Sequence, residues 1–167
     1  ADLQGQVWLY TPDGGEWISA VRNRPVTTGD RLSTDAGARA ELRIGSMTLR
    51  LDGGTELEAL RIDDDRVDLQ LHHGSLSARL GSREIVREFS LRTDEGTFRV
   101  QRTGRYRLDR RDETSHLTVY GGEAVYEGPR SALTVYSGQR AEFWLDSANA
   151  AQYSITDPER DTFAAWT

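Results

Sequence analysis

PVTTGDRLSTDAGARAELRIGSMTLRL, residues 25–51, decides the fold of this 167-residue chain. It opens on a Thr-Gly-Asp turn and a short apolar step that ends at Leu32. After a second turn at Asp35-Ala36-Gly37, Ala38, Ala40, Leu42 and Ile44 alternate with Arg39, Glu41 and Arg43. Gly45-Ser46 reverses the chain, and Met47, Leu49 and Leu51 resume the alternation with Thr48 and Arg50 facing out. Two period-two runs around a tight turn read as half-buried strands in a hairpin. No helix would place those apolar residues on one face.

The same grammar extends in both directions. Val7 and Leu9 alternate with Trp8 and Tyr10, the turn at residues 11–15 follows, and residues 17–21 return. Beyond residue 51 the sequence predicts strands at 55–62, 67–72 and 75–80, separated by Asp52-Gly53-Gly54, Asp63-Asp64-Asp65 and Gly74. Residues 81–87 read as an irregular polar connection and a seam inside the domain. Strands resume from Phe89. LTVYGGEAVYEG from Leu117 and LTVYSGQRAEFW from Leu133 are near copies, and LQLHHGSLSARL from Leu69 has the same shape, with glycine five residues after its first leucine. Each strand pair has one apolar face and must stack on another to bury it.

At least ten short strands and no helix before residue 150 make an all-β domain over 1–145, built of stacked short antiparallel strands, solenoid-like or sandwich. Residues 146–167 read as a C-terminal extension. In it Asp157 stands as an N-cap before Pro158 at the first helical position, with Phe163, Ala164 and Trp166 as an apolar stripe. A helix of about ten residues is marginal alone and has to pack on something. The chain stops as this element starts, which predicts a start of a helix or a linker to a further segment.

Composition narrows the function. There are no cysteines, so disulfide and thiolate chemistry are out, which fits both the cytoplasm and a cysteine-poor periplasmic protein. All 21 basic residues are arginine, and the net charge of −6 argues against general nucleic-acid binding. No apolar run approaches the roughly 20 residues of a transmembrane segment.

PVTTGDRLSTDAGARAELRI, MTLRLDGGTELEAL, VDLQLHHGSLSARL, EFSLRTDEGTFRVQRTGRYRLD and LTVYGGEAVYEG together resemble the FecR domain, over residues 5 to 145. The resemblance implies a β-solenoid-like domain in the bacterial periplasm or otherwise exported. In full iron-uptake regulators of that family the domain relays a receptor signal to an anti-sigma segment across the inner membrane. With no cytoplasmic segment or membrane helix within these residues, the chain is more similar to the FecR-type module at the start of larger exported proteins.

Candidate chemistry is sparse. His72 and His73 are adjacent on a strand and point to opposite faces, and His116 lies far off, so no metal site is expected from them. Asp63-Asp64-Asp65 reads as a solvated turn, with calcium as the sharper alternative. Glu56 and Glu58 share a strand face and fit cross-strand ion pairs better than general acid–base work. No nucleophile elbow or phosphate-cradling loop occurs, so neither catalysis nor a cofactor is expected.

Two leads remain. Five arginines fall between Arg102 and Arg111; Arg105 and Arg107 share a strand face opposite Tyr106 and Leu108, but Asp109, Asp112 and Glu113 interleave, so the run reads either as a patch for an anionic partner or as a self-neutralised surface. Tyr120 and Tyr136 hold equivalent repeat positions, either to anchor a partner or to close an end of the core. The reading is a non-catalytic binding or scaffolding module contacting a protein partner in the cell envelope through Arg102, Arg105, Arg107, Tyr120 and Tyr136. The alternative is a module that binds cell-wall carbohydrate through exposed Trp and Tyr.

Overall fold

The alternation at residues 38–51 produces the expected hairpin: Arg39–Ile44 pairs antiparallel with Met47–Leu51, with Ala40, Leu42, Met47, Leu49 and Leu51 buried. A computed structural model of the chain describes residues 2–158 and 160–167. Ala1, and Glu159 within the predicted helix start at 157–160, lie outside the described residues.

In chain order the strands are β1 (Asp2–Gln4), β2 (Val7–Tyr10), β3 (Trp17–Ser19), β4 (Arg31–Thr34), β5 (Arg39–Ile44), β6 (Met47–Leu51), β7 (Glu56–Ile62) and β8 (Val67–Leu80). A short helix, α1 (Arg83–Glu88), precedes β9 (Phe89–Thr93), β10 (Gly96–Val100), β11 (Gly104–Arg111) and β12 (Thr114–Gly121). Then come β13 (Glu123–Gly128), β14 (Ser131–Tyr136), β15 (Gln139–Leu145), β16 (Ala151–Thr156) and a second helix, α2 (Thr162–Trp166). The all-β reading holds, and among the described residues no helix is long and apolar enough to cross a membrane.

The strands form two sheets that share one member. Sheet A runs β1-β5-β6-β8-β11-β12-β15-β16. Sheet B runs β3-β2-β4-β7-β8-β9-β10-β13-β14. Neither closes on itself. Their inner faces meet: Tyr126 of sheet B stacks on Phe143 of sheet A at 3.9 Å between centroids, and Phe98 packs against both. Such ring pairs each add about 0.5–1.5 kcal/mol beyond the area they bury.

β8 departs from the predicted pair of short strands. It is one 14-residue strand whose first half pairs in sheet B and whose second half pairs in sheet A. Gly74 marks the change, at φ +100°; a Cβ there would lie 2.5 Å from the Thr55 Cα. Ser75 N donates to Thr55 Oγ1 at 3.0 Å and pins the bend. The repeat glycines equivalent to Gly74, Gly122 and Gly138, also have positive φ and also stand where the chain passes from one sheet to the other. The internal repeat is thus a repeat of sheet crossings.

The seam at residues 81–87 is the second departure. β9 runs parallel to the first half of β8, whereas every other pairing among the described residues is antiparallel. A parallel neighbour requires a crossover connection, and α1 completes it. Ser82 caps α1 by accepting from Ile85 N, and Ile85 is buried. Six residues are too few for helical periodicity to show in the sequence.

From β9 onward the two ends of the stack differ in kind. Hairpin turns lie at one end, and there Glu95 is buried and clamps the sheets together. Its carboxylate takes two 3.0 Å bonds from Arg110 and one of 2.7 Å from Ser115, and Tyr126 donates to its carbonyl. At the other end lie α1 and the sheet crossings at 101–103, 122 and 137–138.

Gly74→Ala combines left-handed strain with a backbone clash and should cost at least about 3 kcal/mol. At Gly138 a Cβ would meet nothing within 4 Å, so Gly138→Ala should cost only about 1–2 kcal/mol of conformational strain. Urea denaturation of both variants checks the ranking.

Candidate functional site

The crossing end of the stack is rich in arginine. α1 places Arg83 and Arg87 on the wall of a cleft of about 500 Å³, and the 101–103 crossing adds Gln101, Arg102 and Thr103. Arg83, Arg87 and Arg102 are exposed, and no ion-pair partner for any of them lies among the described residues. An adjoining cleft of about 560 Å³ shares Thr103 and is walled by Arg79, Gly104, Arg105 and Tyr120. There the Arg105 guanidinium lies over the Tyr120 ring, 4.0 Å from its centroid. Tyr106 anchors the rim from inside: its hydroxyl donates to Arg102 O at 2.6 Å and accepts from Glu123 N at 3.0 Å. Burial raises the pKa of that hydroxyl and hydrogen bonding to Glu123 and Arg102 offsets part of the rise.

The five residues singled out in the sequence separate into two groups. Arg102, Arg105, Tyr120 and Tyr136 all come to this rim; Tyr136 ends β14, 54% exposed, and Ser137 Oγ donates to Tyr120 O across the two crossings. Arg107 does not. It lies two residues further into β11, on the outer face of sheet A, and is 4% exposed because α2 covers it. Arg79, Arg83 and Arg87 were missed; Arg79 could have been found as an outward position in the 75–80 alternation, whereas the two on α1 required knowing that the connection is helical.

The cover over Arg107 is specific. Arg107 Nη1 and Nη2 donate to Asp161 Oδ1 and Oδ2 at 2.7 and 2.8 Å, a two-pronged fork, while its Nε donates to Asp109. Phe163 is buried beneath α2 with the Arg107 guanidinium 5.0 Å from its ring. Trp166 lies within 4.8 Å of the Arg39 guanidinium and 5.4 Å of that of Arg50. Thr167 O accepts from Arg50 at 3.0 Å and Arg79 at 3.3 Å, and Thr167 Oγ1 accepts from Arg105. The N-cap is Asp161, not Asp157, because the Asp161 carboxylate both accepts from Ala164 N and is fixed by Arg107.

The remaining candidates are engaged locally. His72 bonds Glu58, His73 bonds Gly54 O and His116 bonds Glu142. Asp63 Oδ1 accepts from Asp65 N and Arg66 N and shapes the turn. Glu56 and Glu58 pair across the strands with Arg31 at 3.5 and 3.0 Å.

The hydrogen bonds from Arg107 hold the Asp161 carboxyl down at about 2, against the opposing pull of burial. A depressed carboxylate contributes stability above its ordinary value of 3.8, and that contribution is lost as pH falls through the folded value. Acidification from pH 4 to pH 2 should therefore loosen α2. The check is the Trp166 indole N–H in NMR spectra, which should shift over this window in the parent and show no such step in Asp161→Asn.

A family model described as FecR protein matches residues 30–125. Two solved structures of a candidate anti-sigma factor from Parabacteroides distasonis ATCC 8503 superpose with a TM-score of 0.64 at 14% and 15% identity. Each alignment covers 81% of this chain and 63% of that protein, so the chain spans less than two thirds of its length. At these identities the likeness is one of fold. No curated protein matches the sequence. The matched segment contains α1 and the clefts up to Tyr120 but ends well before α2.

Proposed function

Because the chain belongs to the FecR family, we propose that it is a non-catalytic, exported envelope module that makes a protein–protein contact in signalling, and that the contact is the arginine rim. Family membership supports a signalling role through protein partners; the periplasmic location, the site and the mechanism are our reading. One observation carries it: on a chain of net charge −6, three arginines without ion-pair partners among the described residues converge on one cleft, with Arg79 and Arg105 beside them. Opposed charge of this kind steers an acidic partner and fixes its orientation.

The rim suits recognition physically. Its backbone is held by the Tyr106 hydroxyl bonds and by the Ser46–Ser82 hydroxyl contact of 2.7 Å, so little ordering cost falls on binding. Arg105 uses its face on Tyr120 and donates from Nη1 to Thr167 Oγ1, so its guanidinium is held in a fixed orientation at the cleft wall. The exposed Tyr136 ring favours a second reading, in which the same rim stacks on a sugar of the cell wall.

A photo-crosslinking residue at Val86 should trap one protein in the envelope fraction, with capture falling as salt rises. Arg83→Glu with Arg102→Glu should abolish the adduct and leave the melting temperature within about 2 °C, as expected for exposed positions. An adduct that survives the double change would remove the rim from the contact, and an adduct with glycan in place of protein would favour the second reading.

A further inference from the structure

The outer face of sheet A is built like a receptor, and α2 occupies it. Alternation sends Arg39, Arg50, Arg79, Arg105 and Arg107 outward from neighbouring strands of this sheet. α2 meets them through Asp161 on Arg107, Phe163 beneath the same guanidinium, Trp166 against Arg39 and Arg50, and the Thr167 carbonyl on Arg50 and Arg79. A five-residue helix has no stability of its own. Among the described residues those side chains hold it on the sheet, and Asp157, Pro158 and Arg160 make no hydrogen bond to either sheet.

We propose that this face is a binding site for a short helical segment of a protein partner carrying an aspartate followed by aromatic residues two and five positions later, and that α2 is the chain's own competitor for it. The partner's chemistry is read from the complementarity. Arg107 offers a planar fork that fits one carboxylate, with Asp109 taking its remaining edge. The two guanidiniums beside Trp166 favour an electron-rich ring, best met by indole. Tethering gives α2 a local concentration on the order of millimolar, so an incoming segment sees a face that is mostly filled, and its apparent affinity falls by the open fraction.

Displacement also reaches the rim. Arg79 and Arg105 both bond Thr167 and both wall the second cleft, so loss of α2 returns two cations to it. The inference deepens the protein-contact reading by naming the ligand chemistry and a gate, but its test needs no natural partner.

The probe is a fluorescent peptide of residues 157–167, titrated by anisotropy against the full chain. The parent should bind weakly, and Asp161→Asn with Phe163→Ala, which frees α2, should bind at least about tenfold tighter. Peptides carrying Asp161→Asn or Trp166→Ala should fail on the same freed protein, a control that needs no further change to the fold. Arg83→Glu with Arg102→Glu in the freed background should retain peptide binding, which separates this site from the rim. Equal affinity for parent and freed chain, or equal binding of the altered peptides, would overturn the proposal. If the freed chain loses its sheet circular dichroism, Trp166→Ala in the chain replaces it, with the same expected gain.

Discussion

One bent strand holds this molecule together. β8 pairs in sheet B before Gly74 and in sheet A after it, so the two sheets share one continuous strand. A side chain at the bend would strike the Thr55 backbone, so glycine there is a geometric requirement. The connectivity follows from that bend. Once the second half of β8 has entered sheet A, the chain can rejoin sheet B only beside the first half and parallel to it, which calls for α1. From β9 on, successive hairpins alternate between the sheets, with turns at one end and crossings at the other.

That division places charge as well as chain. At the turn end the buried Glu95 carboxylate is tied to Arg110 inside the fold. At the crossing end, arginines on α1 and the 101–103 crossing have no such partner within reach among the described residues. α2 lies on the outer face of sheet A beside the rim, and its C-cap, Thr167, touches arginines belonging to both. Rim and face are therefore adjoining surfaces of one charged region, and whatever changes the seat of α2 changes the rim.

Much of the fold was legible because period-two patterning is a local signal. Residues 38–51, the late hairpins and the register of inward residues followed from alternation alone, and the repeated glycines were found from sequence, although what they repeat is a sheet crossing. The misses share a cause. The continuity of β8, the helicity of residues 83–88 and the cap at Asp161 depend on partners distant in the chain. Asp161 outranks Asp157 as a cap because Arg107, 54 positions earlier, holds it. Arg107 itself was read as surface because its burial comes from α2, and no alternation within β11 reports that.

A strand shared by both sheets requires β8 to unfold as a single unit across its bend. Native-state hydrogen exchange tests this most directly. The inward- and ladder-bonded amides of residues 67–72 and 75–80 should share one opening free energy, equal to that of global unfolding. If one half exchanged through a separate opening of distinctly lower free energy, the sheets would be independent units, and the bent strand would not be what joins them.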